Sequence, residues 1–435
     1  MPGKHNDNDA ARQTPMSMTL AEKIIARASG RERVRPGEIV TCEVDLAMMH
    51  DSSGPRRQIP KLAELGVDVW DAAKVVLITD HFVGERDELS IEIQSLTRDW
   101  AAKRNLGGYH EAQGICHVVL PERGHLAPGM FVVGGDSHST TGGAFGCFMT
   151  GIGATDMAGV LATGSIWVRV PQTLRVRVDG VLGDGVAAKD VILAICHRIG
   201  INGANYMTAE YTGSGVAAMV MDERMVLANM AVELGAKCGI VAPDDVTCAW
   251  LAGVGVDVAD AQTWQSDDDA PVAREIVVDA AELAPQVAAP HSPENSAPVN
   301  AHAGTPIDQA YIGACTGAKL DDLRMAARIV DGRRIAEGVR FFVAPASVRI
   351  NEEAEREGVL DTLRAAGAAI LPSACGACIG LGPARLGAGE VGISSSSRNF
   401  QGRMGDASSQ TYLSSPYTVA ATALAGHIAD PRDYL

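Results

Sequence analysis

The sequence has few aromatic residues, fewer basic than acidic residues and no long hydrophobic run. Phe, Trp and Tyr make up 4% of the 435 residues, and 37 Lys and Arg compare with 53 Asp and Glu, for a formal net charge of −16. Nucleic-acid binding needs a basic surface, and single strands also need aromatic rings for stacking, so nucleic acid is disfavoured as a main partner. A small anionic substrate stays possible, because a few arginine residues are enough to bind one.

The sequence also lacks segments that would place it in a membrane or export it. No stretch approaches the ~20 consecutive apolar residues of a transmembrane helix. Residues 1–17 carry Asp7 and Asp9 and have no apolar signal core, so we predict a disordered tail there. The nine cysteine residues lie far apart, which is typical of a reducing cytoplasm where cysteines are free, metal-bound or catalytic. We therefore predict a cytoplasmic protein without a membrane partner.

From about residue 18 onwards, short β-branched segments alternate with helical patterns. Residues 74–79 and 131–133 are predicted to be buried strands, and residues 187–199 and 321–331 are predicted to be helices. This alternation is typical of α/β proteins with mainly parallel sheets. A chain of this length is too long for one core, so we expect several domains.

The domain boundaries are predicted from composition. Residues 262–310 are rich in Pro, Ala, Ser and Asn and show little periodicity, which indicates a linker or a surface crossover. The predicted division is an α/β domain at 18–170, a second at 171–285, a linker at 286–300 and a third α/β domain at 301–435.

Polar patches, several of them rich in glycine, follow five of the short apolar segments. In open α/β sheets, ligands bind beyond the carboxyl ends of the strands. Five patches in that position therefore predict one composite site. They begin at Asp80, Gly134, Cys315, Ser373 and Ser394.

Three cysteine residues on these patches could hold a metal centre. Cys375 and Cys378 form a C-x-x-C motif, and Cys315 lies on an earlier patch. A C-x-x-C alone also fits thioredoxin-like chemistry, and a structural zinc site normally needs four ligands. Three thiolates could instead hold an iron–sulfur cluster with one iron free to act as a Lewis acid. A coincidental pair beside a buried thiol is the simplest alternative.

Histidine residues on the patches indicate proton transfer. His81 follows Asp80, and His138 lies two positions after Asp136. His117 closes the sequence G-I-C-H. Paired imidazole and carboxylate groups orient the ring and tune its pKa for acid–base work. A single loop histidine is more often solvated or structural, so the argument depends on several occurring together.

Arginine and carboxylate residues further along the chain indicate an anionic substrate. Arg398 and Arg403 lie on either side of a glycine-containing turn, and guanidinium groups bind carboxylates through two hydrogen bonds. Asn229 and Glu233 lie four residues apart in an apolar segment, where a buried carboxylate would have a raised pKa and could act as an acid or base. Surface arginines and a solvated helix face are the simpler interpretations.

With these motifs in place, the chain resembles the aconitase superfamily, and within it the large subunits of 3-isopropylmalate dehydratase and homoaconitase. The similarity runs from about Met18 to Leu435. The motifs that carry it are D-H at 80–81, G-I-C-H at 114–117, G-D-S-H-S-T-T-G-G-A-F-G at 135–146, N-M-A-V-E at 229–233, I-G-A-C-T at 312–316, A-C-G-A-C-I-G at 374–380, S-R-N-F-Q-G-R at 397–403 and S-S-P-Y-T-V-A-A at 414–421.

The resemblance implies one 4Fe–4S cluster per chain, bound by Cys315, Cys375 and Cys378, with a fourth iron that binds the substrate. It implies that six residues handle the proton of the hydroxyl group or water: Asp80, His81, His117, Asp136, His138 and Glu233. It implies that six further residues contact the substrate or line its pocket: Arg398, Arg403, Ser137, Asn229, Asn399 and His50.

In this family, a serine on a separate swivelling domain removes the carbon-bound proton. The chain ends soon after the third-domain motif at 414–421, so the resemblance implies a three-domain core without the swivelling domain and a small-subunit partner that supplies the serine. The implied reaction removes and re-adds water on a hydroxy di- or tricarboxylate.

The leading reaction is conversion of 2-isopropylmalate to 3-isopropylmalate in leucine biosynthesis. Homoaconitase and dehydratases of methylmalate or 2,3-dimethylmalate are the alternatives within the family. An RNA-binding regulator and a structural zinc protein are the alternatives from other classes.

A few positions depart from the family's commonest motifs. Gly317 and Ala318 follow Cys315-Thr316, where Asn and then Ser or Gly are most frequent. Ser397 stands at a frequent Asn position, and Ala377 stands where Pro or Met is common. These changes fall beside the implied cluster ligands and the substrate arginine, so they bear on which substrate is bound.

Overall fold

The structure is a computed structural model that describes residues 17–84 and 87–435. The predicted tail at 1–17 lies outside the described residues, apart from Ser17. The described chain contains three sheets that are wholly or mainly parallel and one two-stranded antiparallel ribbon, with helices between the strands. The prediction of an α/β protein with mainly parallel sheets is confirmed.

The first sheet has five parallel strands. Its strand at 75–79 is buried at every position, as expected for a β-branched segment covered on both faces. In spatial order the strands are Gly108–Glu111, Val75–Thr79, Leu46–His50, Phe131–Gly134 and Phe148–Gly151. The helices of this part are Leu20–Ala28, Pro55–Leu65, Glu88–Ala102, Cys116–Glu122 and Ala154–Thr163, and the ribbon pairs Ile39–Glu43 with Ser165–Arg169.

The second sheet has four parallel strands. In spatial order they are Cys238–Val241, Thr208–Thr212, Thr173–Asp179 and Arg274–Asp279. Its helices are Ala188–Ile199, Ser214–Ala218, Met221–Met230 and Asp245–Gly253. The helix Ala188–Ile199 confirms the helix predicted at 187–199, and its apolar face packs into the core of this part.

The third sheet has seven strands. In spatial order they are Ser296–Pro298, Gln286–Ala288, Gln410–Ser414, Val391–Ser394, Gln309–Ile312, Arg340–Val343 and Ala369–Ile370. The pairings of Gln286–Ala288 are antiparallel and the others are parallel. The helices are Leu320–Val330, Val348–Arg356, Val359–Ala366 and Pro416–Ala425, and the first of them confirms the helix predicted at 321–331.

Two strands of the third sheet lie inside the segment 286–300 that the sequence analysis assigned to a linker. Gln286–Ala288 pairs with both Ser296–Pro298 and Gln410–Ser414. Pro298 lies on the edge strand, where a missing N–H does not break a ladder, so a proline-rich composition is compatible with pairing there. This segment therefore belongs to the third sheet, and the other domain boundaries stay a proposal.

Loops of the first and third sheets contact each other. An antiparallel bridge joins Gly114 to Ser347, the Ile115 N–H donates to the Ala346 carbonyl at 2.9 Å, and one apolar core runs through both parts. Short 3-10 helices lie at Ala72–Lys74, Ser137–Phe145, Ala231–Leu234, Ala261–Thr263, Pro293–Asn295, Val299–Ala301, Gly376–Ile379 and Pro431–Tyr434. Within the described ranges, no helix combines the length and apolar character needed to cross a bilayer.

Candidate active site

A cavity of about 210 Å³ lies where loops of the first and third sheets meet. These loops follow the carboxyl ends of parallel strands, as the polar patches in the sequence predicted. Eleven residues to which the resemblance assigns a role line the cavity: Asp80, His81, His117, Asp136, Ser137, His138, Cys315, Cys375, Cys378, Arg398 and Arg403.

Three cysteine side chains converge on this cavity from two separate loops. Cys315 lies on one loop, and Cys375 and Cys378 lie on the other. Cys375 and Cys378 share a hydrogen bond, which raises the pKa of Cys375 and lowers the pKa of Cys378. The nearby Arg403 guanidinium also lowers the pKa of Cys378. The loops therefore favour a thiolate beside a fixed positive charge.

The donor set around the cavity suits an iron–sulfur cluster better than a structural zinc ion. Three cysteine thiols line the cavity, whereas a structural zinc site normally has four cysteine or histidine ligands. In the described part of the chain, the groups of three or more potential ligand atoms within 4.8 Å of one another contain histidine and carboxylate residues and no cysteine, so no compact set there adds a fourth ligand to the thiols. Three thiols are the protein ligands that a four-iron cluster with one open iron requires.

Asn229 is a direct neighbour of the cysteine group. Its side-chain N–H₂ donates to the Cys315 sulfur at 3.1 Å and to the Thr141 hydroxyl at 2.8 Å, and the residue is fully buried. Asn229 lies at the end of the helix Met221–Met230, which carries it from the second sheet to the cysteine loop. An N–H donor to sulfur stabilises a thiolate, so Asn229 supports the metal-binding form of Cys315.

His81 and Asp80 form the shortest histidine–carboxylate pair of the site. The His81 Nδ1 and Asp80 Oδ1 atoms are 2.6 Å apart, and the other Asp80 oxygen accepts from the Cys116 N–H at 2.8 Å. Burial by itself would lower the pKa of His81, but the Asp80 carboxylate raises it to about 9. Burial would raise the pKa of Asp80, and the His81 imidazolium lowers it to about 2. At neutral pH the pair is therefore an imidazolium–carboxylate ion pair.

His50 lies next to His81 and does not line the cavity. The two rings are stacked with centroids 4.0 Å apart and an interplanar angle of 4°. Burial, together with the His81 charge, lowers the pKa of His50 to about 4, so this imidazole is neutral. Asp51 accepts from the backbone N–H groups of His81 at 3.1 Å and of Phe82 at 3.0 Å. His50 and Asp51 therefore pack behind His81, and the buried His50 Nε2 has no hydrogen-bond partner within the described chain, so the substrate contact predicted for His50 stays a prediction.

Asp136 holds the other two histidine residues of the cavity. Its carboxylate lies 2.8 Å from the His117 Nε2 and accepts from the backbone N–H of His138 at 2.7 Å. The His138 Nε2 is 3.0 Å from Glu233 Oε1. Burial would lower the pKa of His138, but Asp136 and Glu233 outweigh burial and raise it. The His138 Nδ1 also lies 3.5 Å from the Asp136 carboxylate, so the side chains of these four residues form a continuous polar row along one wall.

Arg398 joins this network at its far end. Its Nε donates to Glu233 Oε1 at 2.6 Å, and its Nη1 donates to the Ser137 hydroxyl at 3.1 Å. Glu233 therefore holds both His138 and Arg398, although it does not line the cavity itself. Glu233 lies in the 3-10 turn Ala231–Leu234, which directly follows the helix Met221–Met230 that carries Asn229.

Several buried polar atoms around the cavity have no hydrogen-bond partner within the described chain. They include His117 Nδ1, Asn229 Oδ1, Ser397 Oγ and Arg403 Nε. Leaving such groups without a partner costs free energy, so their clustering around one cavity indicates a polar ligand. The mixture of donors and a cationic guanidinium favours a ligand that is anionic and carries oxygen atoms.

Asn399 is fully buried, and its side-chain amide nitrogen contacts the backbone of the third sheet, while its predicted role at the substrate pocket stays a prediction. Its side-chain N–H₂ donates to the backbone carbonyls of Ala289 at 2.9 Å and Thr411 at 3.1 Å. This amide ties the arginine loop to two strands of the third sheet. Asn399 therefore positions Arg398 from outside the cavity.

Gly317, one of the departures from the family motifs, has a steric explanation. A Cβ atom at this position would lie 2.1 Å from the Ser395 hydroxyl oxygen and 2.6 Å from the Ser395 carbonyl oxygen. The loop that carries Arg398 therefore packs directly onto the loop that carries Cys315. Sequence reasoning also missed Lys189, whose ammonium group donates to both loops, because nothing in its local sequence separates it from a surface lysine.

The fold and the cavity together define an α/β enzyme whose site combines thiols, histidine–carboxylate pairs and arginine residues. Residues 22–426 match the model of the aconitase family (aconitate hydratase), and the chain belongs to this family. Members of the family are hydro-lyases and generally bind an iron–sulfur cluster. The resemblance seen in the sequence and the prediction of an enzyme of this class are confirmed.

Relatives of this chain are similar over almost their whole length. The 3-isopropylmalate dehydratase large subunit 1 of Methanopyrus kandleri is 44% identical over 97% of this chain and 100% of its own. A probable 3-isopropylmalate dehydratase large subunit of Methanothermobacter thermautotrophicus is 45% identical over 96% and 99%. A probable methanogen homoaconitase large subunit of the same organism is 43% identical over 96% and 98%.

Proposed function

We propose that this chain is the large subunit of a hydro-lyase that converts 2-isopropylmalate to 3-isopropylmalate, a step of leucine biosynthesis. The observation that carries the proposal is the convergence of three thiols, two histidine–carboxylate groups and two arginine residues on one cavity. The relatives named 3-isopropylmalate dehydratase large subunit support the choice of substrate. Homoaconitase is the second candidate, because a relative with that name is almost as similar.

Cys315, Cys375 and Cys378 are proposed to hold one 4Fe–4S cluster. The convergence of the three thiols on one cavity and the amide donor to Cys315 support this ligand set. When bound, the cluster would supply a Lewis-acidic iron that offsets the charge developing on the departing hydroxyl group.

His81 is proposed to donate the proton to the departing hydroxyl oxygen. Asp80 orients the ring through the 2.6 Å contact at Nδ1, so the opposite nitrogen is available for the substrate. A positioned acid of this kind typically contributes ~10²–10⁴-fold to the rate. In the reverse direction the same imidazole accepts a proton from the incoming water.

His117, Asp136, His138 and Glu233 are proposed to relay and store protons beside the reacting oxygen. The Asp136 carboxylate lies 2.8 Å from His117 Nε2 and 3.5 Å from His138 Nδ1, and His138 Nε2 lies 3.0 Å from Glu233 Oε1. His117 Nδ1 is buried without a partner, so it can take a hydrogen bond from the ligand.

Arg398 and Arg403 are proposed to bind the substrate carboxylates, with Ser137 and Asn229 completing the pocket. Glu233 and Ser137 fix the Arg398 fork, and Arg403 has a buried Nε without a partner. Two fixed cations orient the substrate so that the reacting bonds are aligned.

A small subunit that carries the serine base is proposed to complete the site, since the relatives are named large subunits. We also propose a reducing, cytoplasmic location, which the nine free thiols support. Dehydratases of methylmalate or 2,3-dimethylmalate would use the same groups and differ in the alkyl group of the substrate.

The proposal is tested by anaerobic reconstitution followed by an assay with a candidate small subunit. A brown protein with about four irons per chain is expected, and alkene absorbance should appear with 2-isopropylmalate and not with homocitrate. Stoichiometric zinc without sulfide would refute the cluster. Turnover of homocitrate in place of the alkylmalate would select the second candidate.

A further inference from the structure

Lys189 lies at the start of the helix Ala188–Ile199 and extends into the third part of the molecule. Its side chain is 1% exposed. The ammonium group donates to the Thr316 hydroxyl at 3.0 Å and to the backbone carbonyls of Ser395 at 3.0 Å and Ser396 at 2.6 Å. Thr316 follows Cys315, and Ser396 precedes Arg398 by two residues. One lysine thus connects the second sheet to both loops that build the cavity.

The three acceptors of Lys189 are uncharged. The neighbouring carboxylate, Asp190, accepts from the backbone N–H groups of Gln286 at 2.7 Å and Ala187 at 2.8 Å. Another buried carboxylate, Asp322, accepts from Lys319 Nζ at 2.5 Å. Lys189 is therefore a buried cation whose direct contacts supply no counter-charge.

Arg224 is a second buried cation, outside the cavity, and it provides a comparison for Lys189. Its side chain is fully buried, and it forms two hydrogen bonds to the Asp244 carboxylate at 2.6 and 2.7 Å. A buried charge costs free energy unless an opposite charge compensates it. For Arg224 the compensating charge is in direct contact, and for Lys189 it must come from elsewhere.

The negative groups that act on Lys189 from a distance include two of the cysteine residues. Burial is the largest influence and lowers the pKa of Lys189 to about 8, and Lys319 acts in the same direction. Asp322 and, when they are ionised, the Cys315 and Cys378 side chains raise the pKa of Lys189. Burial raises the pKa of free Cys315 to about 12, so Cys315 becomes a thiolate only on binding a metal, and a charged Lys189 then stabilises it.

We propose that Lys189 is the fixed counter-charge of the cysteine-bound cluster and positions the two loops that carry Cys315 and Arg398. The inference rests on the proposed function, because it assigns a role toward the cluster. A cluster with three thiolate ligands is anionic overall, and reduction adds a further negative charge. A nearby ammonium group therefore favours the reduced form and strengthens retention of iron.

The test compares three variants of the full chain after anaerobic reconstitution. Lys189→Gln removes the charge and keeps N–H donors for the same acceptors, and Lys189→Met removes both charge and donors. Thr316→Val keeps the charge and removes one acceptor. For each, the reduction potential of the cluster, the rate of iron release to a chelator and the thermal midpoint of the apoprotein are measured.

Both Lys189 variants are expected to have a more negative cluster potential than the parent and to release iron about 10-fold faster or more. Thr316→Val should keep the potential of the parent. A Lys189→Gln protein with the potential and release rate of the parent would overturn the inference, even if its apoprotein melts earlier. If Lys189→Met does not fold, the Gln variant decides alone.

The two proposals fail in different ways. A parent protein that takes up no iron and sulfide refutes the cluster, and with it the role of Lys189. A parent that holds the cluster while the neutral variants match it refutes only the counter-charge.

Discussion

Cys378 has two neighbours that favour its thiolate, a hydrogen bond from Cys375 and the Arg403 guanidinium. We expect Cys378→Ser to lose both the cluster and the activity, because a serine hydroxyl stays protonated and binds iron poorly. Iron and sulfide analysis checks this. Cys248→Ser is the matched control, since Cys248 lies on the helix Asp245–Gly253 away from the cavity and should leave the iron content unchanged. A full iron content in the Cys378 variant would contradict the ligand assignment.

Arg398 makes two directed contacts, to Glu233 and to Ser137, which a lysine cannot reproduce. We expect Arg398→Lys to keep the cluster and to lower kcat/KM by at least about tenfold, the equivalent of one lost charge-assisted hydrogen bond of ~1.5–3 kcal/mol. Steady-state kinetics and iron analysis measure the two effects separately. Arg432→Lys, at an ion pair with Asp430 near the surface, should behave like the parent. Unchanged kinetics in the first variant would remove Arg398 from the site.

The loop that carries Cys315 packs closely against the loop that carries Arg398, and this packing depends on Gly317. We expect Gly317→Ala to lower the free energy of unfolding by about 1–3 kcal/mol, since the added methyl group overlaps Ser395. Urea unfolding of the apoprotein measures the change. Gly159 provides the control, because it lies in the helix Ala154–Thr163 with open space at its Cβ position. Gly159→Ala should raise stability by up to ~1 kcal/mol, and a stable Gly317 variant would show that the loops can separate.

The helix Asp245–Gly253 begins at an aspartate with two functions. Asp244 accepts from the N–H groups of Val246 and Thr247 and also pairs with the buried Arg224. We expect Asp244→Ala to cost about 3 kcal/mol, because the substitution removes a cap and leaves a buried cation unpaired. Asp87→Ala at the start of Glu88–Ala102 should cost clearly less, because Asp87 is exposed and the substitution removes a cap without leaving a buried cation unpaired. Equal losses in urea unfolding would contradict the argument that Asp244 compensates the buried Arg224.

The described chain as a whole brings together the groups that are proposed to act on the departing hydroxyl oxygen. We expect the reconstituted chain alone to show little hydratase activity and the addition of a small subunit to restore it, because the proposed carbon base belongs to the partner. The assay titrates the small subunit against a fixed amount of the large one. Full turnover by this chain alone would refute the division of the site.

Elements with a strong local pattern were predictable from sequence. The strand at 75–79 and the helix at 188–199 follow from β-branched runs and from apolar spacing, and both are confirmed. The strands at 286–288 and 296–298 were not predicted, because they are three residues long and lie in a segment that contains several prolines. Such short strands exist only because a neighbouring strand supplies their hydrogen bonds, and that information is not local.

The family and the residue types of the site can be inferred from the sequence, because the motifs keep their chemistry and their order along the chain. Which residues meet at the cavity is visible only in the folded chain. The fold places His50 behind His81, turns Asn399 to backbone carbonyls and brings Lys189 from another sheet to the cysteine loop. The reason is physical: side-chain direction, burial and counter-charge depend on contacts between residues far apart in the chain, and no local pattern contains them.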